Sequence, residues 1–247
     1  MNVVSHGRKL KLSVLSLPLP VEDNPWFWEP VDRSGLRPLL LTGYGNISHR
    51  LMCAMAERWH QETSSFHLPV GEMTITLDDV ACLLGIPVAG RLIQKDDLDL
   101  DDGVELMVTH LLFPVEDAVE HVSNNSGAFV TYTVLKERYE HMLNKCNHFP
   151  GEDLSEEEEQ KLSRIRPTCV DAFLLLLLGY TLFVDKNSKT INMLWMLAIR
   201  DLAEIGTWSW GAMRLAFLYE QLNLTSSPHV GSIGGYMSLL VVIFFFF

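Results

Sequence analysis

Residues Phe66–Gly90 read FHLPVGEMTITLDDVACLLGIPVAG, and this stretch decides the fold. In its first half apolar residues alternate with other residues, which is typical of half-buried strands. Gly71 divides the alternation into two runs and supplies a turn residue. The alternating apolar positions are Phe66, Leu68, Val70, Met73, Ile75 and Leu77. The pattern predicts a short β-hairpin near residues 66–77.

The second half of the stretch carries the signals of a short helix with both ends marked. Thr76 followed by Asp79 resembles a capping box, with an acidic residue at the third helical position. Gly85 is suited to close a helix in the left-handed conformation, and Pro87 cannot continue it. We therefore predict a helix over Leu77–Leu84 that ends at Gly85.

Outward from this stretch, apolar residues mostly recur at helical spacing. Helices are predicted at residues 48–62, 115–122, 134–143, 155–166, 170–184, 191–204 and 208–222. Arg166 and Pro167 are expected to separate two of them, because proline disrupts a helix interior. The predicted fold class is mainly α, a single multi-helix globular domain with a short β-hairpin near residues 66–77.

The first 45 residues are predicted to form an irregular leader, because prolines there prevent a long helix. These prolines are Pro18, Pro20, Pro25, Pro30 and Pro38. Trp26, Phe27 and Trp28 form an aromatic cluster that is expected to dock on the domain. The alternative for this cluster is an exposed recognition patch.

The net charge of −12 is concentrated in one part of the chain. Residues 61–160 hold 21 acidic and 5 basic side chains, whereas the segments on both sides are slightly basic. The run from Asp96 to Glu105 is predicted to be a solvated loop. An acidic surface repels phosphate backbones, so direct nucleic-acid binding is disfavoured and basic partner surfaces are favoured.

No pattern in the chain predicts a catalytic, cofactor or metal site. The sequence lacks the phosphate-binding glycine loop, the nucleophile elbow and the zinc-protease helix. Read as a calcium loop beginning at Asp97, the acidic run has Asp102 where glycine is required and Val108 where glutamate is required. His67 is interpreted as a satisfied or surface histidine rather than a metal ligand.

Cysteines and apolar runs are interpreted as parts of the core. Cys53, Cys82, Cys146 and Cys169 lie far apart in the sequence and are interpreted as free thiols, buried by default. The apolar runs 172–184 and 239–247 are shorter than the ~20 residues that a helix needs to cross a bilayer. The first run is predicted to be a buried core helix, and no membrane association is predicted.

Five pieces of the sequence together resemble the plant mobile domain family, a transposon-associated family that includes MAINTENANCE OF MERISTEMS-like proteins. They are Trp59-x-x-Glu62 with the 66–90 block, GAFVTYTVLKERYEHML at 127–143, AFLLLLLGYTLFVDK at 172–186, Trp208-Ser209-Trp210-Gly211 with LAFLYEQL, and Ile233-Gly234-Gly235-Tyr236. Together these pieces indicate a plant mobile domain over residues 46–240.

The resemblance implies a non-enzymatic, nuclear protein-interaction domain, similar to transposon-derived proteins linked to transposon silencing and meristem maintenance. It also implies protein partners, including a phosphatase-like nuclear protein. The residues of the family signature are interpreted as structural. They are His67, Pro69, Gly71, Glu72, Leu77, Asp79, Val80, Gly85, Pro87, Gly90, Trp208, Ser209, Trp210 and Gly211.

The sequence leaves two alternative functions open. The first is a DNA-binding component of a transposable element, for which the 77–90 segment is the candidate reader. The second is a phosphatase-associated protein without its own catalytic motifs, because GDxHG, GDxxDRG and GNHE are missing and Gly45-Asn46 continues as Ile47-Ser48. The "aminotransferase-like" label of the family gains no support, because no lysine stands in a pyridoxal phosphate context.

The end of the sequence departs from the family pattern. After Ser238-Leu239-Leu240 the chain reads VVIFFFF, whereas relatives are expected to continue with a tryptophan-containing helix. We expect residues 241–247 to be an apolar tail translated from a pyrimidine-rich intron. The domain at 46–240 is accordingly expected to be incomplete.

Overall fold

The computed structural model describes residues 4–5, 17–41, 54–94, 97–149, 154–184, 189–226 and 232–233. The helices are α1 (Pro25–Arg33), α2 (Leu77–Leu84), α3 (Leu100–His110), α4 (Val115–Asn124), α5 (Tyr132–Asn147), α6 (Glu156–Tyr180), α7 (Met196–Ile199) and α8 (Trp210–Ser226). The strands are β1 (Val4–Ser5), β2 (Trp59–His60), β3 (Ser65–Leu68), β4 (Gly71–Met73), β5 (Phe129–Thr131), β6 (Thr190–Asn192) and β7 (Ser232–Ile233). The predicted mainly α fold class is confirmed.

Helix α6 forms the centre of the core. Its second half, from Thr168 to Tyr180, is buried on every side because its sequence is apolar all round. Helix α5 packs along it, and the aromatic rings of Tyr139 and Phe173 lie 5.7 Å apart. Helix α1 covers another side, with Phe27 4.9 Å from Phe173. The predicted core helix at 170–184 is therefore confirmed up to its end at Tyr180.

The predicted break at Arg166-Pro167 is wrong. Helix α6 begins at the capping box of Ser155 and Glu158 and runs through Pro167 without interruption. Proline removes one helical hydrogen bond and costs ~3 kcal/mol in a helix interior. Burying the apolar second half of the helix offsets that cost, because each fully buried large apolar side chain contributes about 1.5–3 kcal/mol.

The acidic run predicted to be a solvated loop instead starts helix α3. The Asp99 carboxylate accepts a hydrogen bond from the backbone N–H of Asp102 at 2.8 Å, and the Asp102 carboxylate accepts one from the N–H of Asp99 at 3.2 Å. This reciprocal cap, with acidic residues in the first turn, stabilises a helix start. Leu106 and Met107 then bury the apolar face of the helix.

The leader predicted to be irregular contains helix α1. Pro25 occupies its first turn, where the missing N–H costs nothing, and the helix continues past Pro30. The predicted docking of the aromatic cluster is confirmed, because Phe27 and Trp28 are buried. A short 3-10 helix, Arg37–Leu40, follows.

The predicted hairpin is confirmed and has a third strand. Strand β3 pairs with β4 in an antiparallel register that places Leu68 opposite Gly71, and β2 pairs with the other edge of β3. The predicted helix over 48–62 is wrong at its end, because residues 54–56 are helical but Trp59 and His60 form strand β2. Residues 48–53 lie outside the described part.

The helix predicted over 191–204 is also wrong. Residues Thr190–Asn192 form β6, which pairs antiparallel with β5, and only a 3-10 turn and the one-turn helix α7 follow. The β5–β6 ribbon packs at the end of α6, where the Tyr132 hydroxyl donates to the carbonyl oxygen of Gly179 at 2.8 Å. This packing places Ile191 in the core and overrides the helical spacing of the sequence.

The predicted burial of the cysteines is confirmed for two of the three that the structure describes. Cys146 and Cys169 are buried and free, whereas Cys82 is exposed on α2. Contact with Cys146 and burial hold the pKa of the Cys169 thiol well above its ordinary value. Within the described ranges, no helix combines the length and the apolar character that spanning a membrane requires. Cys53 and residues 239–247 lie outside those ranges.

Candidate functional site

Helix α2 is held at both ends as its sequence predicts. The Asp79 carboxylate accepts a hydrogen bond from the Thr76 N–H at 2.8 Å, and the Thr76 hydroxyl oxygen accepts one from the Asp79 N–H at 3.3 Å. Gly85 has a φ of 65° and closes the helix by donating its N–H to the carbonyl oxygen of Ala81 at 3.0 Å. The predicted capping box and left-handed glycine are confirmed.

The two blocks of the family signature, residues 67–90 and 208–211, meet in space. The N–H of Gly211 donates to the carbonyl oxygen of Pro87 at 2.7 Å. The N–H of Arg91 donates to the carbonyl oxygen of Thr207 at 2.8 Å, and the N–H of Ser209 donates to the carbonyl oxygen of Arg91 at 2.9 Å. We call this junction of residues 87–91 with residues 207–211 the clasp.

Two glycines permit this approach of the clasp segments. Gly90 has a φ of 139°, and a Cβ atom there would collide with the carbonyl oxygen of Thr207. A Cβ atom on Gly211 would lie 2.7 Å from the Val88 side chain and 3.1 Å from the carbonyl oxygen of Pro87. Any side chain at either position would push the segments apart.

Side chains close the clasp on its outer side. The Arg91 guanidinium lies 4.5 Å from the centre of the Trp208 ring, and Glu204 lies 3.8 Å from the same guanidinium. Trp208 and Trp210 are both buried, as is the Ser209 side chain between them. Val80, on α2, approaches Gly211 from the inner side.

The turn after α1 packs against the clasp. Gly35 has a φ of 69°, and a Cβ atom there would lie 2.6 Å from the Pro87 ring. Pro38 lies beside Gly85, at the ordinary contact distance of 3.5 Å from the position of a built Cβ atom. The segment predicted to be a leader is thus part of the domain.

The hairpin part of the signature precedes α2 in the chain. Nε2 of His67 lies 3.2 Å from the Glu72 carboxylate, and its ring stacks on that of His60 at 3.6 Å. Pro69 forms the turn, and Gly71, with a φ of 132°, begins β4. Leu77 is the first residue of α2 and is partly exposed. The sequence did not reveal the stacked histidine pair, because its members meet only when β2 and β3 pair.

An aromatic junction joins the hairpin to helix α8. The Trp59 indole N–H donates to the side-chain oxygen of Asn223 at 2.7 Å, and the ring lies 5.1 Å from that of Tyr219. The Tyr219 hydroxyl donates to the carbonyl oxygen of Ile75 at 2.6 Å. Helix α8 therefore contacts the clasp at its first turn and the hairpin region further along.

A cavity of about 360 Å³ lies beside the clasp. One wall is the 92–93 segment directly after the clasp, and another is one side of α8. The floor is aromatic, with the rings of Phe183 and Trp195 stacked at 3.4 Å and 8° and Phe217 standing edge-on at 5.6 Å from Phe183. Sequence reasoning missed this cavity, because its walls come from segments far apart in the chain.

The polar groups of the cavity are few. Its described lining includes Asn192, Glu220 and Gln221, and it includes no lysine, arginine or histidine. The side-chain oxygen of Asn192 accepts a hydrogen bond from the N–H of Leu194 at 2.8 Å, which fixes the amide at the end of β6. The cavity is therefore suited to an apolar group that carries a hydrogen-bond donor or a positive charge.

A buried acid lies elsewhere in the core. Asp171, on α6, is 3% exposed, and its carboxylate lies 3.6 Å from Nδ1 of His110, the last residue of α3. Burial raises the pKa of Asp171 to about 6, and His110 offsets part of that rise. Among the residues that the structure describes, no three His, Cys, Asp or Glu side chains group closely enough to hold a metal ion.

The family model of the plant mobile domain matches residues 39–246. The chain belongs to the plant mobile domain family. This match confirms the resemblance seen in the signature, begins before residue 46 and continues past residue 240. The clasp and the cavity are therefore features of a plant mobile domain.

Three Arabidopsis thaliana proteins illustrate the relatives of this plant mobile domain. Protein MAINTENANCE OF MERISTEMS is 30% identical over 85% of this chain and 40% of its own length. Protein MAIN-LIKE 2 is 31% identical over 86% of this chain and 28% of its own length. A serine/threonine-protein phosphatase 7 long form homolog is 29% identical over 83% of this chain and 14% of its own length. The chain spans less than half of each of these relatives, and no solved structure matches it.

Proposed function

We propose that this chain is a non-enzymatic, nuclear protein-interaction domain that acts in transposon silencing and meristem maintenance. The observation that carries the proposal is the clasp. Pro87 and Gly90, from one part of the family signature, meet Ser209 and Gly211, from the other, through a main-chain hydrogen bond and close glycine packing, which is what a scaffold requires. The name of the relative MAINTENANCE OF MERISTEMS supports the meristem part of the proposal.

A phosphatase-like nuclear protein is the proposed partner. The relative named as a phosphatase 7 long form homolog supports a link between this domain and phosphatases. The acidic charge of residues 61–160 favours a basic surface on the partner over a phosphate backbone.

The test uses the tagged full chain in plant cells. We expect fluorescence in nuclei and, by proximity labelling, enrichment of a phosphatase-like protein over a control in which the clasp is broken by Gly211→Val. Cytoplasmic fluorescence, or equal labelling by the two chains, would contradict the proposal.

Two assays on the purified chain address the alternatives. Duplex DNA is expected to show no salt-dependent binding at about 10 µM protein, whereas a DNA-binding component would lose affinity steeply as salt rises. With added Mn²⁺, the purified chain is expected to hydrolyse a generic phosphoester no faster than buffer alone. Metal-dependent turnover would overturn the non-enzymatic assignment.

A further inference from the structure

We propose that Cys146 and Cys169 form a reversible oxidation site, at which hydrogen peroxide joins the two thiols in a disulfide that locks helix α5 onto helix α6. The inference goes beyond the proposed interaction function and does not depend on it. Both cysteines are buried free thiols. They lie on two helices that pack against each other, and an arginine lies close to one of them.

The packing of α5 on α6 brings the two cysteines together. The hydroxyl of Tyr132, the first residue of α5, donates to a carbonyl oxygen one residue before the end of α6 at 2.8 Å. Tyr139, two turns further along α5, lies 5.7 Å from Phe173, so the helices run antiparallel. Two more turns lead to Cys146, which faces the stretch of α6 before Phe173 that contains Cys169. There the Cys169 S–H donates a hydrogen bond to the Cys146 sulfur.

Burial of the pair decides which bond can form. Cys146 is 7% exposed and Cys169 is 0% exposed, whereas Cys82 lies on the surface of α2. A small oxidant can reach the edge of the site, but a second protein chain cannot. The two thiols are therefore expected to react with each other rather than with a cysteine of another molecule.

Arg166 distinguishes this pair from ordinary buried thiols. The hydrogen bond from Cys169 and the positive charge of Arg166 hold the pKa of the Cys146 thiol below its ordinary value, although burial acts in the opposite direction. The buried Nε of Arg166 has no hydrogen-bond partner among the described residues, so a negative charge on the nearby sulfur is favourable there. The thiolate is the form of cysteine that attacks peroxides.

The proposed reaction has two steps. The Cys146 thiolate attacks one oxygen of hydrogen peroxide, which forms an S–O bond, breaks the O–O bond and releases hydroxide that is protonated to water. The sulfur is oxidised to a sulfenic acid and the peroxide is reduced. The Cys169 sulfur then attacks the Cys146 sulfur, so that an S–S bond forms, the S–O bond breaks and the released hydroxide takes the Cys169 proton to give a second water.

The test oxidises the purified, fully reduced chain in its folded state. The chain is treated with about 1 mM hydrogen peroxide at about pH 7 and then alkylated under denaturing conditions. We expect two of the four thiols to escape alkylation, and digestion to yield a cross-linked peptide pair that contains Cys146 and Cys169. Because the bond closes a loop, the oxidised chain should melt several degrees higher than the reduced one, and dithiothreitol should reverse both changes.

Three variants assign the roles of the residues. Cys82→Ser, at the exposed cysteine, is the matched control and should form the cross-link as the parent does. Cys169→Ala should leave a sulfenic acid on Cys146 that dimedone traps. Arg166→Gln should move the pH dependence of the oxidation rate to higher pH and slow the reaction at pH 7 about threefold or more, which a purely structural role would not do.

Four outcomes would overturn the site. They are a cross-link through Cys82 or between two chains, oxidation of Cys146 to a sulfinic acid without a cross-link, an unchanged pH profile in Arg166→Gln, and an oxidised chain that melts no higher than the reduced one. The peptide map of the parent chain decides even if a variant fails to fold. None of these measurements uses a nuclear partner, so their failure leaves the proximity-labelling result on the proposed function intact.

Discussion

Gly211 donates its backbone N–H to the carbonyl oxygen of Pro87 at 2.7 Å, and so joins the start of α8 to the segment that follows α2. The contact brings together two parts of the signature that are more than a hundred residues apart in the sequence. Both residues act through their backbones, so the junction depends on the small size of Gly211 rather than on side-chain chemistry.

Gly211→Ala tests this junction through the sign of its effect. Replacing glycine by alanine within a helix ordinarily stabilises a protein by about 0.5–1 kcal/mol. Here the added methyl would lie 2.7 Å from the Val88 side chain, so we expect a loss of about 1–3 kcal/mol. Chemical denaturation measures the change. A variant as stable as the parent would show that the clasp accommodates the added methyl group without loss of stability.

Gly85→Val tests the left-handed end of α2. A β-branched residue is strained at a φ of 65°, and we expect the free energy of unfolding to fall by about 1 kcal/mol or more. Gly85→Asn is the matched control, because asparagine tolerates this conformation better. Equal melting temperatures for the two variants would contradict the assignment of the strain to the backbone.

Asp99→Ala tests whether the acidic run caps helix α3. Loss of the side-chain cap is expected to lower the free energy of unfolding by about 1 kcal/mol. Asp97→Ala removes the same charge from an exposed position before the helix and should change stability by less than about 0.5 kcal/mol. If both variants lose the same stability, general charge effects rather than capping explain the result.

Asp171→Asn tests the cost of a buried carboxylate. Burial raises the pKa of Asp171 to about 6. Between about pH 4 and pH 6 the folded chain therefore still holds a proton on this carboxyl, whereas the unfolded chain has already released it. The contribution of this group to stability is therefore full in acid and lost as pH rises through that window. Asp171→Asn should stabilise the protein by roughly 3 kcal/mol at pH 7, with no gain at low pH.

The measurement for Asp171→Asn is urea denaturation of the parent and the variant across the acidic range. The difference between their free energies of unfolding should grow from low pH to neutrality. A constant difference at every pH would mean that the carboxyl of Asp171 ionises normally in the folded protein.

Local signals in the sequence predicted local structure well. The capping box of Thr76 and Asp79, the left-handed Gly85 and the hairpin around Gly71 all depend on contacts between residues a few positions apart. The chemistry of the cap and the conformational freedom of glycine act within one or two turns of chain. The sequence alone therefore determined these features, together with the mainly α class and the family.

Two of the errors have a different cause. Pro167 lies inside α6, and residues 191–192 form a strand, because burial against distant elements outweighs local preference. The acidic run shows the converse, since its carboxylates were interpreted as a solvated charge cluster while Asp99 and Asp102 form a cap that could have been recognised from their spacing.

By itself, then, the sequence determined where most helices begin, which residues turn the chain and to which family the domain belongs. Only the tertiary structure decided that Pro87 and Gly90 meet Thr207 and Gly211, and that an aromatic cavity opens beside them. The physical reason is that packing and main-chain contacts between distant segments depend on shape in three dimensions. No pattern along the chain encodes the distance between two surfaces that fold together.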